Sequence, residues 1–334
     1  MTTQTVNTPT ETTGSMWRPL RYDDLPALHA LTLAVAAADG HDRVDTLRSL
    51  QDGFHDPWSD PEADARIVRL PDGAAVAFAR CFAHPEPEHE ATAWLWFDVH
   101  PEHRGRGLET AALAWLEARA AQRLRGAPAG LKRTLRTGAP DHLAARIDLL
   151  RSRGFTPVRY FYRMRRDLRR PIPAVSLPEG FTLRGYAPEL SEALFRAHNE
   201  AFADHWGHEA ETREDWEIFF VGADNFRPDL TVIALDASGE IAAYSFNRVY
   251  ADDNARTGEN AGHIGQVGTR RPWRKKGLAS ALVCESMRRF REAGFDMATL
   301  GVDAENPTGA LGIYTRLGFE VAWRFITFEK PAAG

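Results

Sequence analysis

Apolar and polar positions along the chain change period several times, and the changes mark out elements. Residues 231–235 (TVIAL) and 241–250 (IAAYSFNRVY) are β-prone runs either side of the turn residues Asp236-Ala237-Ser238-Gly239, which predicts a hairpin. Residues 277–294 shift to a helical period, with Leu278, Ala281 and Leu282 on one face and Glu285, Arg288 and Arg289 on another, and Gly294 predicts the helix end. Residues 264–269 before this helix and 298–302 (ATLGV) after it predict strands. Asn306-Pro307 predicts the cap and first position of a last helix, which Gly318 stops. The succession predicts an α/β (α+β) unit with a mixed, mostly antiparallel sheet flanked by helices.

The same order of elements is found earlier in the chain. Leu20-Arg21 returns as Leu183-Arg184 at an offset of 163, Arg104-x-x-Gly107-Leu108 as Arg274-x-x-Gly277-Leu278 at 170, and Gly154-Phe155 as Gly318-Phe319 at 164. Recurrence in fixed order reads as duplication of a whole domain. Residues 167–180 carry three prolines and no helical period, which suits a stiff extended connection. The predicted organisation is a disordered tail at 1–15, an N-terminal domain at 16–168, a linker at 169–180 and a C-terminal domain at 181–334.

Composition narrows the partners. The 334 residues hold 41 Lys and Arg against 46 Asp and Glu, a net charge of −5, which argues against nucleic acid as a partner. The arginine run from Arg159 to Arg170 reads as strand-exit and linker charge, solvated or paired internally. Cys81 and Cys284 form no CxxC spacing, which fits a reducing cytoplasmic location, and no apolar stretch is long enough to cross a bilayer. A monomer or a homodimer is expected.

In this acidic chain, five cationic side chains lie between Arg270 and Lys276, where a strand gives way to a helix. Such a junction exposes unpaired N–H groups at the positive end of the helix dipole, and the small Gly277 and Ala279 admit an anion to the backbone. Arg274-x-x-Gly277-x-Ala279, followed by Asn306-Pro307 and then Gly309-Ala310-x-x-x-Tyr314-x-x-x-Gly318-Phe319, resembles the GNAT superfamily of acetyl-CoA-dependent N-acetyltransferases. As a tandem pair the whole chain resembles the two-domain actinobacterial group of that superfamily that includes mycothiol synthase.

The resemblance implies acetyl-CoA as cosubstrate and a small-molecule amine as acceptor; no metal is expected, since the chain has no helix-borne HExxH. It implies that Arg274, Lys275, Lys276, Gly277, Leu278, Ala279 and Ser280 hold the pyrophosphate through their backbone. It also implies that Val267, Gly268 and Thr269 pair with the pantetheine arm and that Asn306 bonds it. Tyr314 matches the tyrosine beside the departing sulfur, where a phenol donates to the thiolate; in an apolar helix it is otherwise a core residue. His263 falls where relatives carry a glutamate, and is either the proton acceptor or a structural strand histidine. Gly265 departs from an acidic position. Asp204, His205 and Trp206 occupy the segment that forms an acceptor-pocket wall and suit a cationic amine, with loop packing as the alternative. His205-x-x-His208 lacks a third metal ligand.

The first half keeps Arg104-Gly105-Arg106-Gly107 but has Glu109, His142 and Leu150 where the second has Ala279, Asn306 and Tyr314. Leucine cannot protonate a thiolate, so the first half is expected to be degenerate. The expected activity is acetyl transfer from acetyl-CoA to a primary amine by direct attack in a ternary complex, with non-catalytic acyl-CoA sensing as the alternative.

Overall fold

The computed structural model describes residues 16–55, 60–84, 86–87, 89–207, 210–306 and 309–332. The expected tail at 1–15, His208 and Pro307 lie outside them. The chain divides into two compact units, one of Met1–Gly138, Ala145–Thr156 and Phe328–Gly334, the other of Ala139–Ala144 and Pro157–Thr327. Among the described residues no helix is long and apolar enough to cross a membrane.

In the first unit β1 (Arg18–Pro19) is followed by α1 (Leu25–Asp39), α2 (Leu47–Phe54) and α3 (Pro61–Asp64). Then come β2 (Ala65–Arg69), β3 (Ala75–Ala83), β4 (Glu90–Val99), α4 (Leu108–Leu124), β5 (Lys132–Pro140), which counts with this unit through Gly138, and α5 (Ala144–Ser152), which counts with it from Ala145. Its strands lie in the order β1-β2-β3-β4-β5, antiparallel except for the parallel pair β4/β5.

The second unit runs from β6 (Thr156–Asp167) through β7 (Thr182–Gly185), α6 (Ser191–Phe202), α7 (Arg213–Asp215), β8 (Val232–Leu235), β9 (Ile241–Arg248) and α8 (Ala251–Thr257). It continues with β10 (Ala261–Thr269), α9 (Leu278–Glu292), β11 (Met297–Asp303), α10 (Ala310–Arg316) and β12 (Glu320–Pro331). Its strands follow the order β12-β6-β11-β10-β9-β8-β7, and β10/β11 is again parallel. The strand β12 is divided, counting with the second unit through Thr327 and with the first from Phe328. The linker drawn at 169–180 falls after β6, a strand that counts with the second unit from Pro157. The antiparallel register from Met297↔Asp167 to Asp303↔Phe161 binds it to β11.

Local chemistry accounts for the elements that position the site. The β8/β9 turn is closed by the Asp236 carboxylate, which accepts from the Ser238 and Glu240 amides at 2.9 and 3.0 Å, with Gly239 at φ 85°. Every residue of β9 is buried, as expected of a strand covered on both faces. Leu278, Leu282, Val283, Met287 and Phe290 form the buried stripe of α9. At Gly262 a Cβ would stand 2.6 Å from the Phe290 ring, so α9 approaches β10 only because that residue is glycine. One prediction needs correction: α10 begins at Ala310 with Gly309 (φ 72°) as its cap, not at Asn306. The Asn306 carbonyl instead accepts from the Gly309 amide at 3.1 Å, closing a turn that precedes the helix.

The arginines of β6 and the segment after it serve internal contacts. Arg159 donates to Asp303, Arg166 to the carbonyls of Leu317 and Pro171, Arg169 to Asp167, and Arg170 to Glu320.

Candidate active site

In the second unit β10 and β11 part company. Their parallel register runs from Ala261↔Met297 to Ile264↔Leu300 and stops there, although β10 continues beside β9 to Thr269↔Ala243 and β11 continues to Asp303. Between Ile264 and Gln266 the β9/β10 register slips by one residue, which makes Gly265 a bulge at the point of divergence. A Cβ on Gly265 would meet the Phe246 carbonyl at 3.0 Å. Beyond the bulge residues 266–269 have no register partner in β11, which leaves a gap in the ladder along that edge of β10, with the Thr269 carbonyl accepting from Arg274. An extended amide chain pairs with such an edge as an added strand.

The gap leads to the start of α9. Lys275 (φ 62°) and Gly277 (φ 86°) both take the left-handed conformation, which turns successive amides toward one side ahead of the helix N-terminus. Lysine adopts that conformation at a cost of roughly 1–2 kcal/mol, a local strain of the kind found at binding sites. Lys275, Lys276 and Gly277 are exposed, Ala279 and Ser280 half-buried, and Leu278 is buried in the core.

Arg274 fixes the turn from beneath. Its guanidinium donates to the Thr269 carbonyl at 3.1 Å, the Ala201 carbonyl at 3.1 Å and Asp204 at 2.9 Å. Arg271 also donates to Asp204, and hydrogen bonds from the two arginines hold that carboxyl down at about 2. The structure thus commits Asp204 to the turn. Its neighbour His205 is half-buried, with desolvation pushing the imidazole pKa down, and its ring lies 4.2 Å from that of Phe202. Trp206 faces Phe161 at 6.3 Å and the Arg159 guanidinium at 5.6 Å.

Tyr314 is 8% exposed in the cluster that contains Leu300, Val302 and Phe319 and packs against Val267. Tyrosine, diverging strand and gap residue therefore share one core. Burial pushes the Tyr314 phenol up to about 12, so it is a neutral donor throughout the physiological range. His263 lies just before the divergence, 5% exposed, with Nδ1 2.9 Å from the Thr299 hydroxyl and its ring 5.7 Å from Tyr250. Cys284 is buried in α9, and desolvation raises its thiol, which opposes a covalent route.

Other groups escaped the sequence reading. At Gly268 a Cβ would fall 2.6 Å from the Tyr244 hydroxyl, and that hydroxyl lies 2.7 Å from His198 Nδ1. The Asn199 side chain accepts from the Glu211 amide and donates to its carbonyl, both at 3.0 Å. Burial, with Asp215 adding repulsion, pushes the Glu211 carboxyl up to about 7. In the sequence Tyr244 stands only as one member of a β-prone run, and no motif surrounds Glu211.

A divergent parallel strand pair running into the positive end of a helix is an arrangement that suits an anion-tailed, amide-bearing ligand. The sequence profile of the Acetyltransferase (GNAT) family matches residues 30–155 and 191–319, and the chain belongs to that family. It is 32% identical to a mycothiol acetyltransferase of Thermobispora bispora over 302 residues, 89% of this chain and 92% of the relative. It is likewise 32% identical to one of Nocardiopsis dassonvillei over 343 residues, covering 94% and 96%. The crystal structure of a GCN5-related N-acetyltransferase from Sphaerobacter thermophilus superposes with a TM-score of 0.73 at 29% identity, covering 95% of this chain and 96% of that one.

Proposed function

We propose that the second unit transfers acetyl from acetyl-CoA to a primary amine of a small molecule by direct attack in a ternary complex. The observation that carries the reading is the continuity, in one unit, of the gap beside residues 266–269, the amide-rich turn at 274–280 and the buried Tyr314. The fit is chemical as well as spatial. Glycine at 268 and 277 leaves the backbone open, the strand edge supplies donors and acceptors for pantetheine amides, and the turn supplies donors and positive charge for a diphosphate. Asn306, in the turn that follows β11, is assigned to bond the pantetheine arm.

The bond changes set the demands on the protein. The amine nitrogen bonds to the acetyl carbonyl carbon, the C–S bond breaks and the sulfur leaves with the electron pair; of the two protons an ammonium sheds on becoming an amide, one goes to the base before attack and the other, released from nitrogen after attack, ends on the sulfur or in water. Tyr314 donates to the sulfur. A thiol has a pKa of about 8.5, so full transfer from a phenol near 12 runs uphill by roughly 5 kcal/mol. Tyr314 therefore acts mainly as a hydrogen-bond donor to developing charge, the kind of preorganised contact that contributes most to such reactions. The amine arrives as ammonium at neutral pH, and His263 takes its proton directly or through water. His205 and Trp206 form the acceptor wall, while Asp204 keeps the turn in place. Relatives named mycothiol acetyltransferase support a small polar acceptor.

The test is free-thiol release from acetyl-CoA with an amine panel that includes cysteinyl-glucosaminyl-inositol, aminoglycosides and amino acids. Turnover with intersecting initial-velocity lines is expected. Parallel lines would exclude direct attack, and binding of acetyl-CoA with no turnover on any amine would favour a sensor.

A further inference from the structure

The first unit reproduces the divergence of the second. The parallel β4/β5 register ends at Trp94↔Arg136, the positions offset by 170 and 164 from Ile264↔Leu300, although β4 continues to Val99 and β5 to Pro140. Gly105 (φ 70°) and Gly107 (φ 88°) shape the turn before α4 as Lys275 and Gly277 shape the one before α9. Arg104 is anchored as Arg274 is, donating to the Val99 carbonyl at 3.1 Å and to Asp39 at 2.7 and 2.8 Å.

The difference lies in what fills the cleft. The Glu109 carboxylate accepts from the Gly105 amide at 3.1 Å, so an anion belonging to the chain itself already sits on the turn. The Arg146 guanidinium reaches past the end of the paired region and donates to the Phe97 carbonyl at 2.8 Å and the Gly138 carbonyl at 3.0 Å, bridging the two diverging strands. Phe97 is the counterpart of Val267, and its carbonyl receives from Arg146 the bond that an amide N–H of an added strand would give. In the second unit the counterparts of Glu109 and Arg146 are Ala279 and Ala310, neither of which has a polar group to offer.

We propose that Glu109 and Arg146 are internal occupants that hold the first cleft shut, a carboxylate in the diphosphate place and a guanidinium in the pantetheine place. With both removed, that unit is a second binding site for a nucleotide-tailed thioester. The proposal rests on the reading of the second cleft given above. The competition favours the internal groups, because a tethered side chain acts at an effective concentration on the order of millimolar or more.

The test compares the full chain with its Glu109→Ala/Arg146→Ala variant, using coenzyme A by equilibrium dialysis and a photoreactive coenzyme A analogue whose attachment sites are mapped by mass spectrometry. The expected stoichiometry rises from one to two, with new labelling on β4 or the start of α4. Two equivalents on the wild-type chain, or a folded double variant with no labelling in the first unit, would overturn the proposal. Absence of wild-type binding would sink the reading of the second cleft, while the labelling of the variant still decides this one. If the double variant does not fold, Glu109→Ala alone is probed with 3′-phosphoadenosine 5′-diphosphate, the nucleotide end of coenzyme A with its diphosphate. A gained site supports the proposal, and no gain overturns it.

Discussion

At positions 279 and 310 the second unit has methyl groups where the first places the Glu109 carboxylate and the Arg146 guanidinium, each hydrogen-bonded within its own cleft. The backbones agree far better than the contents. Both parallel registers end at equivalent pairs, and both turns carry two left-handed residues. Only the second has a bulge, at Gly265, where the first runs β3 against β4 without a slip. Duplication thus kept the frame, which the sheet core holds in place, while a few side chains decide whether the cleft is open. Leu150, fully buried, stands for Tyr314, and Ala93 stands for His263.

The largest effect expected from this asymmetry is at the departing sulfur. Tyr314→Phe, which gives the second unit a ring with no donor, is expected to lower kcat by roughly 10²- to 10³-fold with little change in cosubstrate binding. Steady-state kinetics on a responsive amine check it, and full retained kcat would remove the tyrosine from the mechanism. Because the phenol titrates near 12, wild-type activity should show no loss attributable to Tyr314 below about pH 11.

A second contrast concerns buried acids. In the first unit Asp24, Asp39 and Asp64 each pair with arginine at 2.6 to 2.7 Å. The Glu211 carboxyl in the second has no cation against it among the described residues, and burial raises it from 4.5 to about 7. A raised folded pKa means that the folded state holds the proton more tightly than the unfolded one. Its stabilising effect is complete below about 4.5 and fades as pH rises through about 7. The shift corresponds to about 3 kcal/mol, so Glu211→Gln should gain on the wild type by about that much between pH 4.5 and 8. Denaturant unfolding at both pH values measures it; a flat difference would show that the carboxyl is solvated.

Importing the first unit's occupant gives a smaller change. Ala279→Glu places a carboxylate one helical turn from the Lys275 amide and is expected to raise KM for acetyl-CoA about tenfold, by the same tethered competition, while kcat at saturation falls far less. An unchanged KM would separate the two turns and leave Glu109 without the function assigned to it.

Much of the frame was legible because it is local. The β8/β9 hairpin, α9 with its glycine stop, and the cationic turn are each written within twenty residues, and the repeat offsets linked the halves. Side chains that meet across long separations were not legible. Asp204 suited a cationic acceptor in sequence, but Arg274, 70 residues away, takes it. The pairing of β6 with β11 depends on strands more than 100 residues apart, beyond any periodic signal. Glu109 stood out because it interrupts a motif, whereas Arg146 looks like any helix arginine until its guanidinium is found between two strands.

The smallest expected effect tests whether the turn's conformation or its charge matters more. Position 275 is lysine at φ 62°, and its counterpart is Gly105 at φ 70°. Glycine relieves a strain of roughly 1–2 kcal/mol but loses about 0.5–1 kcal/mol to the greater freedom of the unfolded chain. Lys275→Gly should therefore leave stability within about 1 kcal/mol of wild type, on the stabilising side. The lost charge is exposed and screened over about 10 Å at 0.1 M salt, so KM for acetyl-CoA should rise only about two- to threefold, a rise that shrinks as salt is added. A larger, salt-independent rise would mean that Lys275 bonds the diphosphate directly. The openness of the second turn would then owe as much to its cation as to the methyl group at 279.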